Sequence, residues 1–194
     1  MKNLERRHFT LDALRVEARA DGKRRIVGHA AVFNQLSEDL GGFREQIAPG
    51  AFAEAIKTDD VRALLNHNPD FILGRNTAGT LTLAEDARGL AIEIDPPDTQ
   101  IARDLLVSLE RGDVNQMSFG FSVWENGQSW SVDTDGETMI RTLTRVRLYD
   151  VSPVTFPAYP QTDVAVRELR AWVAAAQPAF DRVKLARMRL NLVT

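Results

Sequence analysis

The stretch NQMSFGFSVW, residues 115–124, sets a serine where chemistry could use one. Met117, Phe119, Phe121 and Val123 alternate with Ser118, Gly120, Ser122 and Trp124, the two-residue period of a strand. Ser118 stands on the face opposite the apolar row, beside a glycine that offers no side chain to shield it. A serine hydroxyl becomes a nucleophile only when a base takes its proton. Histidine is the usual base because it titrates near neutrality. The base needs a third group, often a buried carboxylate, to hold its tautomer.

The chain has three histidines, His8, His29 and His67. His8 lies in a polar N-terminal segment and reads as solvated. His29 lies among small and apolar strand residues and reads as a hydrogen-bonded core histidine. His67 closes one strand and opens the loop NHNPDFILGR, where a rigid element can hand a side chain to a site. For the carboxylate, Asp150 shares the parity of Ile140, Thr142, Thr144, Val146 and Leu148, an inward-facing row. Arg141, Arg145 and Arg147 take the other parity and must reach solvent. A buried carboxylate requires partners. On parity alone, an aspartate meeting a backbone turn at a strand end explains the position equally well. Glu45, in the loop GGFREQIAPG, is the runner-up carboxylate. Ser152 competes with Ser118 as nucleophile, although Pro153 after it favours a turn-capping role.

The elements that must position these residues follow from periodicity. Residues 23–34 read as a central strand, apolar or small on both faces. Residues 51–59 read as a short helix and 61–67 as a strand. Leu81 and Leu83, the turn EDARG, then Leu90, Ile92 and Ile94 make a hairpin. Residues 98–113 form an amphipathic helix capped by Asp98 or Thr99 and ended by Gly112. After the Ser118 strand, Asn126-Gly127 marks a hairpin turn. One long strand runs from Met139 to about Val151, followed by the proline-punctuated SPVTFPAYP. This predicts an α+β, mainly β fold: a compact, mostly antiparallel barrel of six or seven strands flanked by helices, with a C-terminal helical tail. The divisions are an N-terminal arm (1–22), a main domain (23–165) and the tail (166–194).

The bulk properties narrow the function. The chain has 194 residues, 44% hydrophobic and 26% charged, enough for one domain with a real core. A net charge of −3 implies no pull toward nucleic acid. With no cysteine there are no disulfides, thiolate metal sites or cysteine nucleophile. No apolar run reaches membrane-spanning length and the N-terminus lacks a signal core, so the expectation is a cytosolic chain without membrane contact. HExxH and other metal-ligand spacings are missing, as is a phosphate loop, so no metal or cofactor is expected.

Six segments in order carry a family resemblance: GHAAVFN, GGFREQIAPGAF, VRALLNHNPDFILGR, GTLTLAEDARGL, GDVNQMSFGF and LYDVSPVTFPAYP. This series, spanning roughly 23–165, resembles the prohead maturation proteases of tailed bacteriophages, which are regarded as distant relatives of herpesvirus assemblin. The resemblance implies a serine endopeptidase with a herpesvirus-protease-like β-barrel, working in the host bacterial cytoplasm inside the assembling prohead shell. It would cleave the scaffold segment of the major capsid protein, and itself. Carried over by block, the histidine is His67, the serine Ser118 and the acidic member Asp150, where the herpesvirus relatives use a second histidine. Analogy with those relatives also raises a homodimer.

Two rivals remain: a non-catalytic scaffold- or coat-binding module of the same fold, and another serine hydrolase such as an esterase. The complete serine, histidine and aspartate set counts against the first. The absence of a G-x-S-x-G elbow and of alternating βα units counts against the second. The basic-apolar tail reads as a helix packed on the core or pairing with another subunit. Binding scaffold or coat, or holding the protease inactive, is the other reading.

Overall fold

The structure, a computed structural model, describes residues 4–10, 14–156 and 169–173. The strands among these are β1 (Glu5–Thr10), β2 (Arg15–Ala18), β3 (Arg24–Val32), β4 (Phe43–Ile47), β5 (Arg62–Leu65), β6 (Asn68–Arg75), β7 (Leu81–Glu85), β8 (Gly89–Ile94), β9 (Gln116–Val123), β10 (Gln128–Val132), β11 (Met139–Leu143) and β12 (Val146–Val154). The helices include α1 (Ala55–Thr58) and α2 (Gln100–Arg111). They build a five-stranded sheet β1-β9-β12-β5-β6, a four-stranded sheet β2-β3-β8-β7 and a three-stranded sheet β10-β11-β4. Pairing is mostly antiparallel; β11–β4 and β12–β5 are parallel.

Mainly β and mostly antiparallel is therefore right, but among the described residues the strands do not close into the expected barrel of six or seven. The described strands number twelve and divide into three sheets with separate edges, because the chain leaves one sheet for another at its turns. The main core lies between the larger sheets and α2. Met117, Phe119 and Phe121 of β9 enter it beside Ile26, Phe52, Ile92, Leu105 and Val151. Phe52 meets Phe119 edge-on, with ring centroids 5.5 Å apart. Thr99 caps α2 by accepting from Ala102 N, and Gly112 ends it at φ 81°.

Three further departures bear on the site. Residues 68–75, expected as loop, form strand β6. Pro69 is tolerated there because β6 is a sheet edge, where a missing N–H leaves no neighbour unpaired. The segment before β3, expected as an arm, contributes β1 to the five-stranded sheet, beside β9, and β2 to the four-stranded one. The single strand expected from Met139 to Val151 is two. Thr144 and Arg145 both donate backbone N–H to Gly127 O and break it, so β11 and β12 enter different sheets.

That break reverses the expectation for Arg141. It faces inward with Met139 and Leu143 and has no exposed surface. Its Nη1 donates to Glu5 Oε2 at 2.8 Å and Glu45 Oε2 at 2.9 Å. Arg7 Nε donates to Glu45 Oε1 at 2.8 Å, and its Nη2 to Glu5 Oε2 at 2.7 Å. Two arginines and two glutamates thus close a buried square joining β1, β4 and β11. Each guanidinium fork matches carboxylate geometry, which lets the four charges leave water together. Residues 169–173 are helical, and Leu169 and Val173 pack with Leu40, Phe43 and Met139 beside the three-stranded sheet. The packed reading of the tail holds for those residues; SPVTFPAYP beyond Phe156 and the rest of the expected tail beyond Val173 lie outside the described residues.

Burial alone would raise the Glu5 carboxyl, but hydrogen bonds and charge from Arg141, then Arg7, hold it below its ordinary 4.5. Its stabilisation is therefore complete above that value and lost as pH falls through the lowered folded one. Urea unfolding should show the gap between wild type and Glu5→Gln narrowing in that acid range. At neutral pH, Arg141→Met, which takes from the buried Glu5 and Glu45 one of the two guanidiniums they share, should cost about 3–5 kcal/mol.

Candidate active site

The site lies on the face of β9 away from the core, where Ser118, Gly120 and Ser122 project. β12 runs antiparallel beside it, with Ser152 opposite Ser118 and Val151 opposite Phe119. Leu148 pairs with Phe121 and Asp150 with Gly120, so Tyr149 is the extra residue of a β-bulge. An unbroken strand would leave Asp150 in the core row with Leu148. The bulge turns it onto the Ser118 face. The parity expectation is corrected here: Asp150 is buried, as expected, but not in the inward row. Tyr149 closes the same face, its hydroxyl 2.9 Å from Ser122 Oγ.

His67 arrives from the other side of β12. Asn66 and His67 both adopt left-handed backbone, at φ 53° and 57°. They join Leu65 to Asn68, paired residues of β5 and β6, as the two central residues of a tight hairpin turn. Asn66 suits this conformation better than most residues. It also ties the turn to the end of β12: its N–H donates to Pro153 O at 3.0 Å, and its Oδ1 accepts from Thr155 N at 2.9 Å. The imidazole is thereby carried over the sheet face, inside the sheet's rim rather than at the mouth of a loop.

The three expected residues meet in one chain of hydrogen bonds. His67 Nδ1 is 2.5 Å from Asp150 Oδ2, and His67 Nε2 is 2.7 Å from Ser118 Oγ. An ionised carboxylate only accepts, so Nδ1 carries the proton and Nε2 is free to accept from the serine hydroxyl. Such an arrangement can take a proton from Ser118 at one nitrogen while the other remains held. Ser118 has no exposed surface, and His67 and Asp150 are nearly as deeply buried.

The other candidates lie elsewhere. Glu45, expected in a loop, sits in β4 within the buried charge square. His29 bonds Asp86 at 2.8 Å and leaves its Nδ1 without a partner. Ser152 is not at a turn: it lies within β12, and its hydroxyl donates to Asp150 Oδ2 at 2.7 Å. Sequence reasoning missed that bond. The spacing of Asp150 and Ser152 carries the signal, since residues two apart on a strand share a face.

The chain's residues 11–174 match the family described as caudovirus prohead serine protease. The chain belongs to that family. It is 30% identical over 162 residues to the prohead protease of Enterobacteria phage HK97, a match covering 81% of this chain and 66% of the relative, just under two thirds of that protein's length. Among solved structures, the capsid assembly protease gp21 of bacteriophage T4 is similar with a TM-score of 0.47 and 12% identity, over 78% of this chain and 97% of that one.

Gly120 leaves room for the Asp150 carboxylate. A Cβ there would collide with Asp150 Oδ1 and approach Leu4 Cδ1 at 3.6 Å. Gly120→Ala should therefore displace the carboxylate. A crystal structure of the variant should show the Asp150–His67 bond lengthened, with about 1–3 kcal/mol lost in unfolding. An unmoved carboxylate at wild-type stability would contradict this account of Gly120.

Proposed function

We propose that the chain is a serine endopeptidase acting in phage capsid maturation, with Ser118 as nucleophile, His67 as general base then acid, and Asp150 as the group that holds the imidazole. The observation that carries this reading is the continuous bond path Ser118–His67–Asp150 in a chain of the prohead serine protease family. Ser118 Oγ gives its proton to His67 Nε2 as it attacks the substrate carbonyl carbon. Asp150 stabilises the imidazolium so formed. Collapse of the tetrahedral intermediate breaks the C–N bond, and Nε2–H protonates the departing amine. Water then attacks the acyl-serine, giving its proton to Nε2, and the ester cleaves to return the hydroxyl. Ester formation and hydrolysis replace one difficult step by two easier ones.

The substrates in this reading are the scaffold segment of the major capsid protein and the chain itself, cut within the assembling prohead in the host cytoplasm. No helix among the described residues is long and apolar enough to cross a membrane. A scissile carbonyl must come within contact of Ser118 Oγ, so the covering groups must move before reaction. The full burial of Ser118 is also what favours the second reading, a non-catalytic module that binds scaffold or coat.

Co-expression with the coat protein, followed by intact-mass measurement, separates the two. Wild type should trim the coat protein or itself. Ser118→Ala and His67→Ala should leave both intact. Asp150→Asn should slow cleavage by roughly ten-thousand-fold, because an amide can hold the wrong tautomer. Equal cleavage by wild type and Ser118→Ala would remove Ser118 as nucleophile. No cleavage by wild type inside an assembled prohead would favour the binding module.

A further inference from the structure

We propose that Ser152 is a positioning residue for this reaction, fixing the Asp150 carboxylate so that Asp150 can hold His67; the inference rests on the reading of Ser118, His67 and Asp150 as the reacting set. Two donors converge on one oxygen, Asp150 Oδ2: His67 Nδ1 at 2.5 Å and Ser152 Oγ at 2.7 Å. The other oxygen, Oδ1, lies against the Gly120 backbone, where no side chain blocks it. A carboxylate bonded only to a histidine can swivel about its Cβ–Cγ bond and carry the imidazole with it. The second donor comes from β12 itself, two residues away on the same face, so it is rigid with respect to Asp150. The first comes from the turn between β5 and β6. Fixing the shared oxygen from both sides sets the plane in which Nδ1–H must lie, and with it the direction of Nε2 toward Ser118.

The same geometry removes Ser152 as a rival nucleophile. Its one hydroxyl proton is committed to a carboxylate, and the imidazole that could activate a serine is bonded to Ser118 instead. Ser152 has no exposed surface and stands directly opposite Ser118 across the β9–β12 pair. At a buried strand position a β-branched apolar residue would ordinarily pack well. A hydroxyl there calls for a bonded partner, and Asp150 is that partner.

The test compares the full chain as wild type, Ser152→Ala and Ser152→Thr, on a peptide spanning the cut site found in the coat protein. Removing one charge-assisted donor should lower kcat about 10-fold and leave KM within about twofold. Proton NMR supplies a readout that needs no turnover. The His67 Nδ1–H resonance, absent in His67→Ala, should be sharp in wild type and broadened by solvent exchange in Ser152→Ala. Ser152→Thr, which keeps the hydroxyl, should restore both. Should its extra methyl lower the melting temperature, Ser152→Cys replaces it and should fall between Ala and wild type, since S–H is the weaker donor. Wild-type kcat and an unchanged resonance in Ser152→Ala overturn the proposal. So does a loss of kcat that tracks melting temperature and is not restored by either hydroxyl or thiol. Equal cleavage by wild type and Ser118→Ala overturns the nucleophile reading and this role with it. A cleaving wild type, an inert Ser118→Ala and a Ser152→Ala that matches wild type overturn this proposal alone. If wild type does not cut, an unchanged resonance in Ser152→Ala still overturns it.

Discussion

A carboxylate taken out of water must be answered by donors, and that demand at Asp150 organises the site. It is met from two sides, by His67 and by Ser152, on a single oxygen. The other oxygen fits only because position 120 has no side chain. The carboxylate reaches this face only because Tyr149 bulges out of the β12 ladder. An unpaired buried carboxylate would be expensive. The bulge, the glycine and the left-handed turn at Asn66 and His67 are therefore conditions of one another. Each breaks a local regularity, and each does so at the same few ångströms of sheet. Bulges are common where a strand must re-aim a side chain next to a functional site.

A second set of buried charges solves the same problem differently. Glu5, Arg7, Glu45 and Arg141 neutralise one another in a closed square, with Arg7 also lying 5.5 Å from the centre of the Phe121 ring. The square anchors β1 to the three-stranded sheet, and β1 in turn pairs along β9, the strand of Ser118. Apolar packing could hold these strands together without specifying their register. Ion pairs with fork geometry require each residue in one place, since a slip would leave charges buried and unpaired. In this chain the register of β1 on β9 is tied to that geometry.

The strand that carries Ser118 has a tight aromatic core on its other face. Phe119 and Phe121 sit 4.9 Å apart between centroids and lock β9 from below. Ser118 is thus carried on a strand fixed by its core face, by a neighbouring strand on each edge, and by the turn that delivers His67. Rigid elements of this kind hold reacting groups more closely than loops do. The cost is access: the serine is wholly buried.

Much of this was legible in the sequence. The alternation of 115–124 determined a strand with Ser118 opposite an apolar row, and the hairpin of β7 and β8 and the caps of α2 followed from local patterns. The pairing of His67, Ser118 and Asp150 could be expected from residue chemistry and family blocks. What local pattern could not reach was anything set by the partner strand. Parity assumes an unbroken ladder, so it placed Asp150 in the wrong row and sent Arg141 to solvent. The break at Thr144 and Arg145 and the bulge at Tyr149 are decided by pairing with distant strands. An Asn-His turn and a proline-bearing edge strand hid β6 for the same reason, since the sheet neighbours that make them tolerable lie far along the chain. The sequence alone determined which residues have side chains suited to the proposed chemistry and the period of the elements that bear them. Which face each residue takes, and therefore which of them touch, was decided only by the tertiary structure, because a strand's side chains change face whenever pairing shifts by one residue.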